Sequence, residues 1–224
     1  MKQNPKAVLF DLDGTLLDTA PDLGAALNQV LREEGRAEVS NDIYRSYASH
    51  GANGLLTLGF GEQDYAADQA RLRAAFLAAY SAAIHHHSVL FPGIEEMLSE
   101  LQQQGYLCAI VTNKPSQLTQ QLLPYFAPLN ALDVVVCGDT LSVAKPHPQP
   151  LLYAAEQLAV EANQCWYVGD AERDILAGRA AGMTTVLAEY GYITPDEVPA
   201  QWPADHRIAE PAALTALLRQ LTLA

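Results

Sequence analysis

Four times along the chain, a short apolar run with the length of a β-strand stops at polar residues. Runs of this kind are typical of buried strands that lead into loops. Residues 184–188 form a fifth strand candidate. The four runs are residues 7–10 before Asp11, 107–111 before Thr112 and Asn113, 133–137 before Gly138 and Asp139, and 165–168 before Gly169 and Asp170.

Helical patterns separate these strand candidates, at residues 94–104, 116–125 and 149–159. Strands that alternate with helices predict an α/β fold, a doubly wound parallel sheet of the Rossmann-like type with helices on both faces. The ligand site of such a sheet lies beyond the carboxyl ends of its strands. We therefore expect the polar residues after the four strands to converge.

Residues 21–90 interrupt the alternation and are mostly helical in composition, with candidate helices at 23–34, 41–50 and 65–87. Glycines punctuate the middle of this segment, and Pro92-Gly93 marks the return to the sheet. We interpret residues 1–20 and 91–224 as the catalytic core and residues 21–90 as a small helical cap domain over the strand ends. The glycines are Gly51, Gly54, Gly59 and Gly61.

The chain has 224 residues, half of them hydrophobic, which is ample for a buried core. Its formal net charge is -13 with only 13 lysines and arginines, so its average field repels nucleic acid and anionic lipid. Neither is an expected partner. A small anionic metabolite is still compatible with this charge if a divalent cation and local donors reverse the potential in one pocket.

Nothing in the sequence indicates export or membrane insertion. The first six residues are mostly polar, and no apolar run approaches the roughly 18 residues of a membrane span. The three cysteines, Cys108, Cys137 and Cys165, show no close pairing, which argues against a disulfide framework. We expect a cytoplasmic monomer or homodimer.

Four aspartates carry the chemistry that the sequence predicts. Asp11 and Asp13 follow the first strand, while Asp170 and Asp174 follow another strand at a spacing that places both on one side of a helical turn. Converging carboxylates repel one another unless a hard cation binds, and Mg²⁺ prefers such oxygen ligands. Taken singly, an aspartate after a strand is often a turn or helix-capping residue, as Asp174 would be.

The order of these motifs resembles the haloacid dehalogenase superfamily. The residues that carry the resemblance are Asp11-x-Asp13-Gly14-Thr15, Thr112-Asn113, Lys145-Pro146 and Gly169-Asp170-x-x-x-Asp174. The resemblance implies that Asp11 is the nucleophile and Asp13 the general acid/base of an Mg²⁺-dependent phosphatase. Asp11 and Asp170 would bind Mg²⁺ through their side chains and Asp13 through its backbone carbonyl.

The same resemblance assigns roles to the remaining motif residues. Thr112 and Asn113 would donate to the phosphoryl group, and Lys145 would neutralise its charge. Asp174 would position Lys145 or a metal-bound water. Taken alone, Lys145 also fits a surface lysine in a turn. Other expected substrate contacts are Gly14, which would let the backbone approach the phosphate, Thr15, Lys114 and Asn53.

Thr112-Asn113-Lys114-Pro115 looks like phosphoglycolate phosphatases, which makes phosphoglycolate the first substrate hypothesis. The tail Tyr190-Gly191-Tyr192-Ile193, with Trp202 beyond it, is similar to N-acetylmuramic acid 6-phosphate phosphatases. A sugar-phosphate mutase and a noncatalytic phosphometabolite-binding protein stay open. Dehalogenation is disfavoured because it needs no acid such as Asp13. The run His85-His86-His87 cannot direct all three rings at one ion from a helix.

Overall fold

A computed structural model describes residues 5–132 and 134–222, and at its centre lies a parallel sheet of six strands. The strands of this sheet are β1 (Ala7–Phe10), β4 (Leu107–Val111), β5 (Val134–Val136), β6 (Cys165–Gly169), β7 (Thr184–Ala188) and β8 (His206–Ile208). Their order in the sheet is β5-β4-β1-β6-β7-β8, and every neighbouring pair in it is parallel. The predicted α/β fold with a parallel sheet is confirmed.

Strand β1 is buried on both faces, as the middle of a doubly wound sheet must be. Val8 and Phe10 belong to one apolar cluster, and Ala7 and Leu9 point the other way into a second cluster. The helices that follow the cap segment are α6 (Ile94–Gln103), α7 (Ser116–Leu122), α8 (Ala127–Asn130), α9 (Gln149–Gln157), α10 (Glu172–Ala180) and α11 (Ala212–Thr222). The first cluster includes apolar residues of α6 and α11, and the second includes apolar residues of α9 and α10.

Most predicted strands and helices lie where the pattern placed them, with small changes at the ends. The predicted strand 133–137 is observed as Val134–Val136, and Asp133 lies outside the described residues. The predicted helix 116–125 ends at Leu122 and continues as a 3₁₀ turn over Leu123–Tyr125. Strand β8 was not predicted.

Five helices, which we call the cap helices, lie between residues 20 and 82. The glycine-containing stretch between the predicted helices 41–50 and 65–87 was expected to separate them, but residues Gly51–Phe60 form a helix. A side chain at Gly59 would lie 3.0 Å from Leu27, and one at Gly54 would lie 2.2 Å from His50. These two glycines therefore permit close packing. The cap helices are α1 (Ala20–Glu33), α2 (Asn41–Tyr47), α3 (Gly51–Phe60), α4 (Glu62–Ala67) and α5 (Gln69–Ala82), with a 3₁₀ turn at Ala48–His50.

Two short antiparallel strands, β2 (Leu17–Asp18) and β3 (Val89–Leu90), join the cap helices to the sheet. The buried carboxylate of Asp22 in α1 holds this junction. It accepts the backbone N–H of His87 at 2.9 Å and both the N–H and the hydroxyl of Ser88, at 2.8 and 2.6 Å. The division into a core and a cap at residues 20/21 and 90/91 stays a prediction.

Searched over the described residues, the structure has no helix that is both long and apolar enough to cross a membrane. Cys108, Cys137 and Cys165 are all buried as free thiols.

Candidate active site

The carboxyl ends of β1, β4 and β6 meet at one edge of the sheet, because β1 lies between the other two. Asp11, Thr112 and Asn113 line a cavity of about 420 Å³ there, and cap residues close its other side. Asp170 is buried against the same edge. The polar residues after β5 were also expected to converge here, but Asp139 does not. Asp139 accepts the N–H of Ser116 at 2.8 Å, at the start of α7, and does not line the cavity.

Lys145 is buried beside Asp11, does not itself line the cavity, and is not a surface lysine. Its Nζ lies 2.9 Å from Asp11 Oδ1 and 2.8 Å from Asp174 Oδ1. It also donates to the Tyr167 hydroxyl at 2.7 Å and to the Val111 carbonyl at 2.9 Å. All of these partners belong to the sheet or to α10, so the lysine is held without the cap helices.

Asp174 both caps a helix and contacts Lys145, the two roles that the sequence allowed. Its Oδ2 accepts the N–H of Ala171 at 3.1 Å, which caps α10, while its Oδ1 pairs with Lys145. Burial opposes ionisation of Asp174, but Lys145 and Arg173 outweigh it and hold the pKa of Asp174 below its usual value. A charged Asp174 thus fixes the ammonium of Lys145 beside Asp11.

Three buried carboxylates, on Asp11, Asp170 and Asp174, place oxygen atoms within 4.8 Å of one another. Burial raises the pKa of Asp11 above its usual value despite the neighbouring Lys145. Burial and the charges of Asp11 and Asp174 raise the pKa of Asp170 to about 8. Asp11 and Asp174 share the ammonium of Lys145, and no lysine or arginine among the described residues forms an ion pair with Asp170, so the three carboxylates carry more negative charge than Lys145 balances. This donor set fits a hard metal ion, which would relieve their repulsion.

Asp13 stands apart from this cluster, at the boundary with the cap helices. Its Oδ1 accepts the Thr19 hydroxyl at 2.6 Å and Lys114 Nζ at 3.0 Å. Lys114 also donates to the hydroxyl of Tyr80, in α5, at 2.9 Å. Burial disfavours the charged lysine, but Asp13 and Tyr80 outweigh it and raise the pKa of Lys114 above its usual value. The predicted substrate contact Lys114 is therefore already engaged with Asp13.

Both polar atoms of the Asn113 side chain contact the backbone of Lys145. The Asn113 amide donates to the Lys145 carbonyl at 2.9 Å, and its oxygen accepts the Lys145 N–H at 3.0 Å. Asn113 therefore holds the Lys145 loop, which the sequence did not predict. Thr112 lines the cavity, and its hydroxyl oxygen accepts the N–H of Lys114 at 3.1 Å. The donor role of these two residues toward a phosphoryl group stays a prediction.

Gly14 and Thr15 are not among the residues that line the cavity, and their contact with substrate stays a prediction. A side chain at Gly14, whose φ is +86°, would lie 2.2 Å from Asp170 Oδ2. The Thr15 hydroxyl donates to Asp170 Oδ1 at 3.3 Å, and the N–H of Tyr192 donates to Asp170 Oδ2 at 2.9 Å. The close backbone approach at Gly14 is therefore to Asp170, and these residues orient that carboxylate.

Asn53 in α3 lines the cavity, and its Oδ1 accepts the Tyr65 hydroxyl at 2.7 Å, while its contact with substrate stays a prediction. The sequence interpretation did not single out Arg73 in α5 or Arg173 in α10, which also line the cavity. A signal for Arg173 was available, because it lies one residue before Asp174. His85, His86 and His87 do not line this cavity. His85 instead stacks on Tyr125 at a centroid distance of 4.3 Å.

Comparison with known proteins identifies the family of this chain. A family model described as haloacid dehalogenase-like hydrolase matches residues 8–188. The chain belongs to this family of hydrolases.

Related hydrolases cover nearly the whole chain. A phosphoglycolate phosphatase of Xanthomonas campestris pv. campestris (strain 8004) is 47% identical, covering 94% of this chain and 95% of the relative. An N-acetylmuramic acid 6-phosphate phosphatase of Pseudomonas putida (strain KT2440) is 36% identical, with coverages of 93% and 94%. A crystal structure of a predicted phosphoglycolate phosphatase from Haemophilus somnus 129PT has a TM-score of 0.84 at 28% identity, covering 96% of this chain and 98% of the other.

The cavity of this haloacid dehalogenase-like hydrolase has a local charge unlike that of the chain. Arg73, Lys114 and Arg173 line it together with the carboxylates of Asp11 and Asp13. A metal ion at the acidic cluster would add further positive charge. The cavity can therefore attract an anion although the whole chain carries a net charge of -13.

Proposed function

We propose that this protein is a magnesium-dependent phosphatase that hydrolyses a small phosphorylated metabolite, with phosphoglycolate as its preferred substrate. The observation that carries the proposal is the separation of two aspartates with different partners. Asp11 lies beside Lys145, and Asp13 lies at the cavity with its own lysine. One carboxylate is thus arranged for attack and the other for proton transfer.

The proposed reaction has two steps. In the first, a carboxylate oxygen of Asp11 bonds to phosphorus while the bond from phosphorus to the leaving oxygen breaks, and Asp13 gives that oxygen its proton. In the second, Asp13 takes a proton from water, whose oxygen attacks the aspartyl-phosphate and releases inorganic phosphate and free Asp11. Lys145 balances negative charge on Asp11 and on the phosphoryl group throughout.

Asp11 and Asp170, with the backbone carbonyl of Asp13, are the proposed ligands of Mg²⁺. The ion would screen the charge of the phosphate from that of the attacking carboxylate. Support comes from the raised pKa values of Asp11 and Asp170, because two buried carboxylates of this kind favour a cation between them. Thr15 and the N–H of Tyr192 orient Asp170 for this role.

The substrate assignment is supported by the relative named phosphoglycolate phosphatase, which is 47% identical over 94% of the chain. N-acetylmuramic acid 6-phosphate is the second candidate. The 36% identical relative and the resemblance of the segment Tyr190-Gly191-Tyr192-Ile193 favour it. The cavity of about 420 Å³ lies within the range of about 300–1,000 Å³ typical of small-molecule sites. We also propose that the protein is cytoplasmic, because the buried free thiols suit a reducing compartment. A monomer or homodimer remains our proposal for its oligomeric state.

Steady-state kinetics with Mg²⁺ test this proposal. We expect kcat/KM for phosphoglycolate to exceed that for N-acetylmuramic acid 6-phosphate by at least about tenfold, a difference of about 1.4 kcal/mol in transition-state binding. The reverse order would assign the sugar phosphate, and equal weak rates would remove both names. Asp11→Asn should lower phosphate release at least about 1,000-fold with the fold retained in circular dichroism.

The products separate the remaining alternatives. A phosphatase releases one inorganic phosphate for each alcohol, whereas a mutase returns an isomeric phosphate ester. Substrate binding without any release of phosphate by the wild-type protein would indicate a noncatalytic binding protein. Full activity of Asp11→Asn would contradict the assignment of the nucleophile.

A further inference from the structure

Arg173 is a cavity residue to which the proposed mechanism gives no role. It lies in the first turn of α10, between the metal-cluster residues Asp170 and Asp174. Among the described residues its one hydrogen bond runs from Nη2 to the hydroxyl of Ser49, at 2.9 Å. A guanidinium has five N–H donors, so most of those on Arg173 are available to a ligand in the cavity.

The neighbour of Arg173 inside the cavity is Asp11. Asp11 Oδ1 already accepts the N–H of Leu12 at 2.7 Å and pairs with Lys145 at 2.9 Å. Asp11 Oδ2 accepts no hydrogen bond from the described residues and lies 3.8 Å from Arg173 Nη2. That separation is too long for a hydrogen bond but leaves Arg173 within reach of an anion that approaches Asp11 from the cavity.

The dipole of its own helix does not stabilise the charge of Arg173. The first turn of a helix carries partial positive charge and favours acidic residues, such as Glu172 and Asp174 beside it. A cation there gains nothing from the helix. Its side chain is also only 22% exposed, so it is not a solvated surface arginine. Both features are expected of a residue that serves a ligand.

We propose that Arg173 binds the phosphoryl group of the substrate and that Ser49 of the cap helices holds it in place. This proposal rests on the proposed function, since it concerns the same reacting group. The planar guanidinium suits two phosphate oxygens at once, and it would approach them beside Asp11 Oδ2, while Lys145 contacts Oδ1. Arg173 is then a second cation for the phosphoryl group, in addition to Lys145.

Ser49 links this contact to the cap helices. It lies in the 3₁₀ turn Ala48–His50, between α2 and α3, whereas Arg173 belongs to the core sheet region. His50 in the same turn lies 3.7 Å from Glu197, so two adjacent cap residues contact the core here. Docking of this turn on the core therefore sets the orientation of the phosphoryl-binding arginine.

Calorimetric binding of inorganic phosphate, in the presence of Mg²⁺, tests this role without turnover. We expect Arg173→Gln to weaken phosphate binding by about 10-fold to 100-fold, the loss expected for charged hydrogen bonds. Ser49→Ala should weaken it less, by about twofold to fivefold, because the cation stays but loses its support. Unchanged phosphate binding in Arg173→Gln would overturn the proposal.

Two matched variants serve as controls. Arg179 lies in the same helix, but its Nη1 donates to the Pro203 carbonyl at 3.0 Å outside the cavity. Arg179→Gln should leave phosphate binding within about twofold of the wild type. Ser46→Ala is the control for Ser49, because the Ser46 hydroxyl donates to Ile43 within α2. Equal losses in Arg179→Gln and Arg173→Gln would show a general charge effect and contradict the specific contact.

Kinetics distinguish a phosphoryl contact from a contact with another part of the substrate. If Arg173 binds the phosphoryl group, Arg173→Gln lowers kcat/KM by the same factor for phosphoglycolate and for p-nitrophenyl phosphate, which lacks a carboxylate. A loss confined to phosphoglycolate would refute the proposal and assign Arg173 to the carboxylate. If the wild type hydrolyses neither ester, the proposed function fails, whereas the phosphate-binding result still decides the role of Arg173.

Discussion

The core side and the cap side of the cavity each contain a buried lysine that pairs with an aspartate. Among the described residues, the side chain of Lys145 contacts Asp11 and other core residues, whereas Lys114 contacts Asp13 and also a cap residue, Tyr80. The lysine beside the proposed nucleophile is thus held by the core, while the proposed acid/base is tied to the cap helices. We infer that substitutions around Lys145 impair every substrate equally, whereas cap substitutions act on proton transfer through Lys114, on phosphoryl binding through Ser49, and on substrate choice.

The largest effect is expected for Lys145→Met. Removing this ammonium leaves the charges of Asp11 and Asp174 buried together, which costs about 3–5 kcal/mol of folding free energy. Loss of charge stabilisation should lower kcat by at least about 100-fold for every phosphate ester. Urea unfolding and steady-state kinetics measure the two effects. The double variant Lys145→Met/Asp174→Asn should regain much of the stability but none of the activity, and recovery of activity would contradict the assigned role.

The next effect concerns the metal. Because the three buried carboxylates of Asp11, Asp170 and Asp174 exceed the charge of Lys145, we expect chelation to abolish activity and Mg²⁺ to restore it. Mg²⁺ at 100 times its Kd should raise the free energy of unfolding by about 2.7 kcal/mol in the wild type. Asp170→Asn should lose this stabilisation, while Asp139→Asn, outside the cavity, should retain it. Equal stabilisation of Asp170→Asn and the wild type would place the ion elsewhere.

The core was the more predictable of the two regions. Strands β1, β4 and β7 have the predicted bounds, because each is a run of apolar or β-branched residues with a clear end. The short strands β2, β3 and β8 contain only two or three residues, which is too few for a pattern. Lys145 and Asp174 could be singled out because ordered motifs carry them, although their contact with Tyr167 could not.

The cap side depended on contacts that no local pattern contains. The glycines of residues 51–61 led us to predict no helix where α3 is observed. The sequence does not show that Gly59 packs against Leu27, the contact that explains why a glycine stands in this helix. Tyr80 and Lys114 are far apart in the chain, so their hydrogen bond becomes visible only in the fold. Arg173 was overlooked because a cation among acidic residues in a helix is typical of a solvated surface.

A smaller effect is expected for Lys114→Gln. The substitution removes the charge paired with Asp13 but leaves the Thr19 hydroxyl on the same carboxylate oxygen. Loss of a charged hydrogen bond of about 1.5–3 kcal/mol corresponds to a decrease in kcat of about 10-fold to 100-fold. If Lys114 instead serves only the substrate carboxylate, KM for phosphoglycolate rises and kcat for p-nitrophenyl phosphate does not change. Kinetics with both esters separate these outcomes.

The smallest effect, and the most direct test of the link to the cap, is expected for Tyr80→Phe. The variant keeps the ring, whose centroid lies 4.5 Å from Lys114 Nζ, and loses only the hydroxyl that accepts from it. Loss of a hydrogen bond to a neutral hydroxyl, worth about 0.5–1.5 kcal/mol, corresponds to a decrease in kcat of about twofold to 12-fold. All substrates should show this decrease, because the effect passes through Asp13. Tyr65→Phe is the matched control, since its hydroxyl donates to Asn53 in the cap. That variant should change KM and leave kcat within about twofold. If Tyr80→Phe changed KM alone, Lys114 would not transmit the cap contact to Asp13, and the two sides of the cavity would act independently.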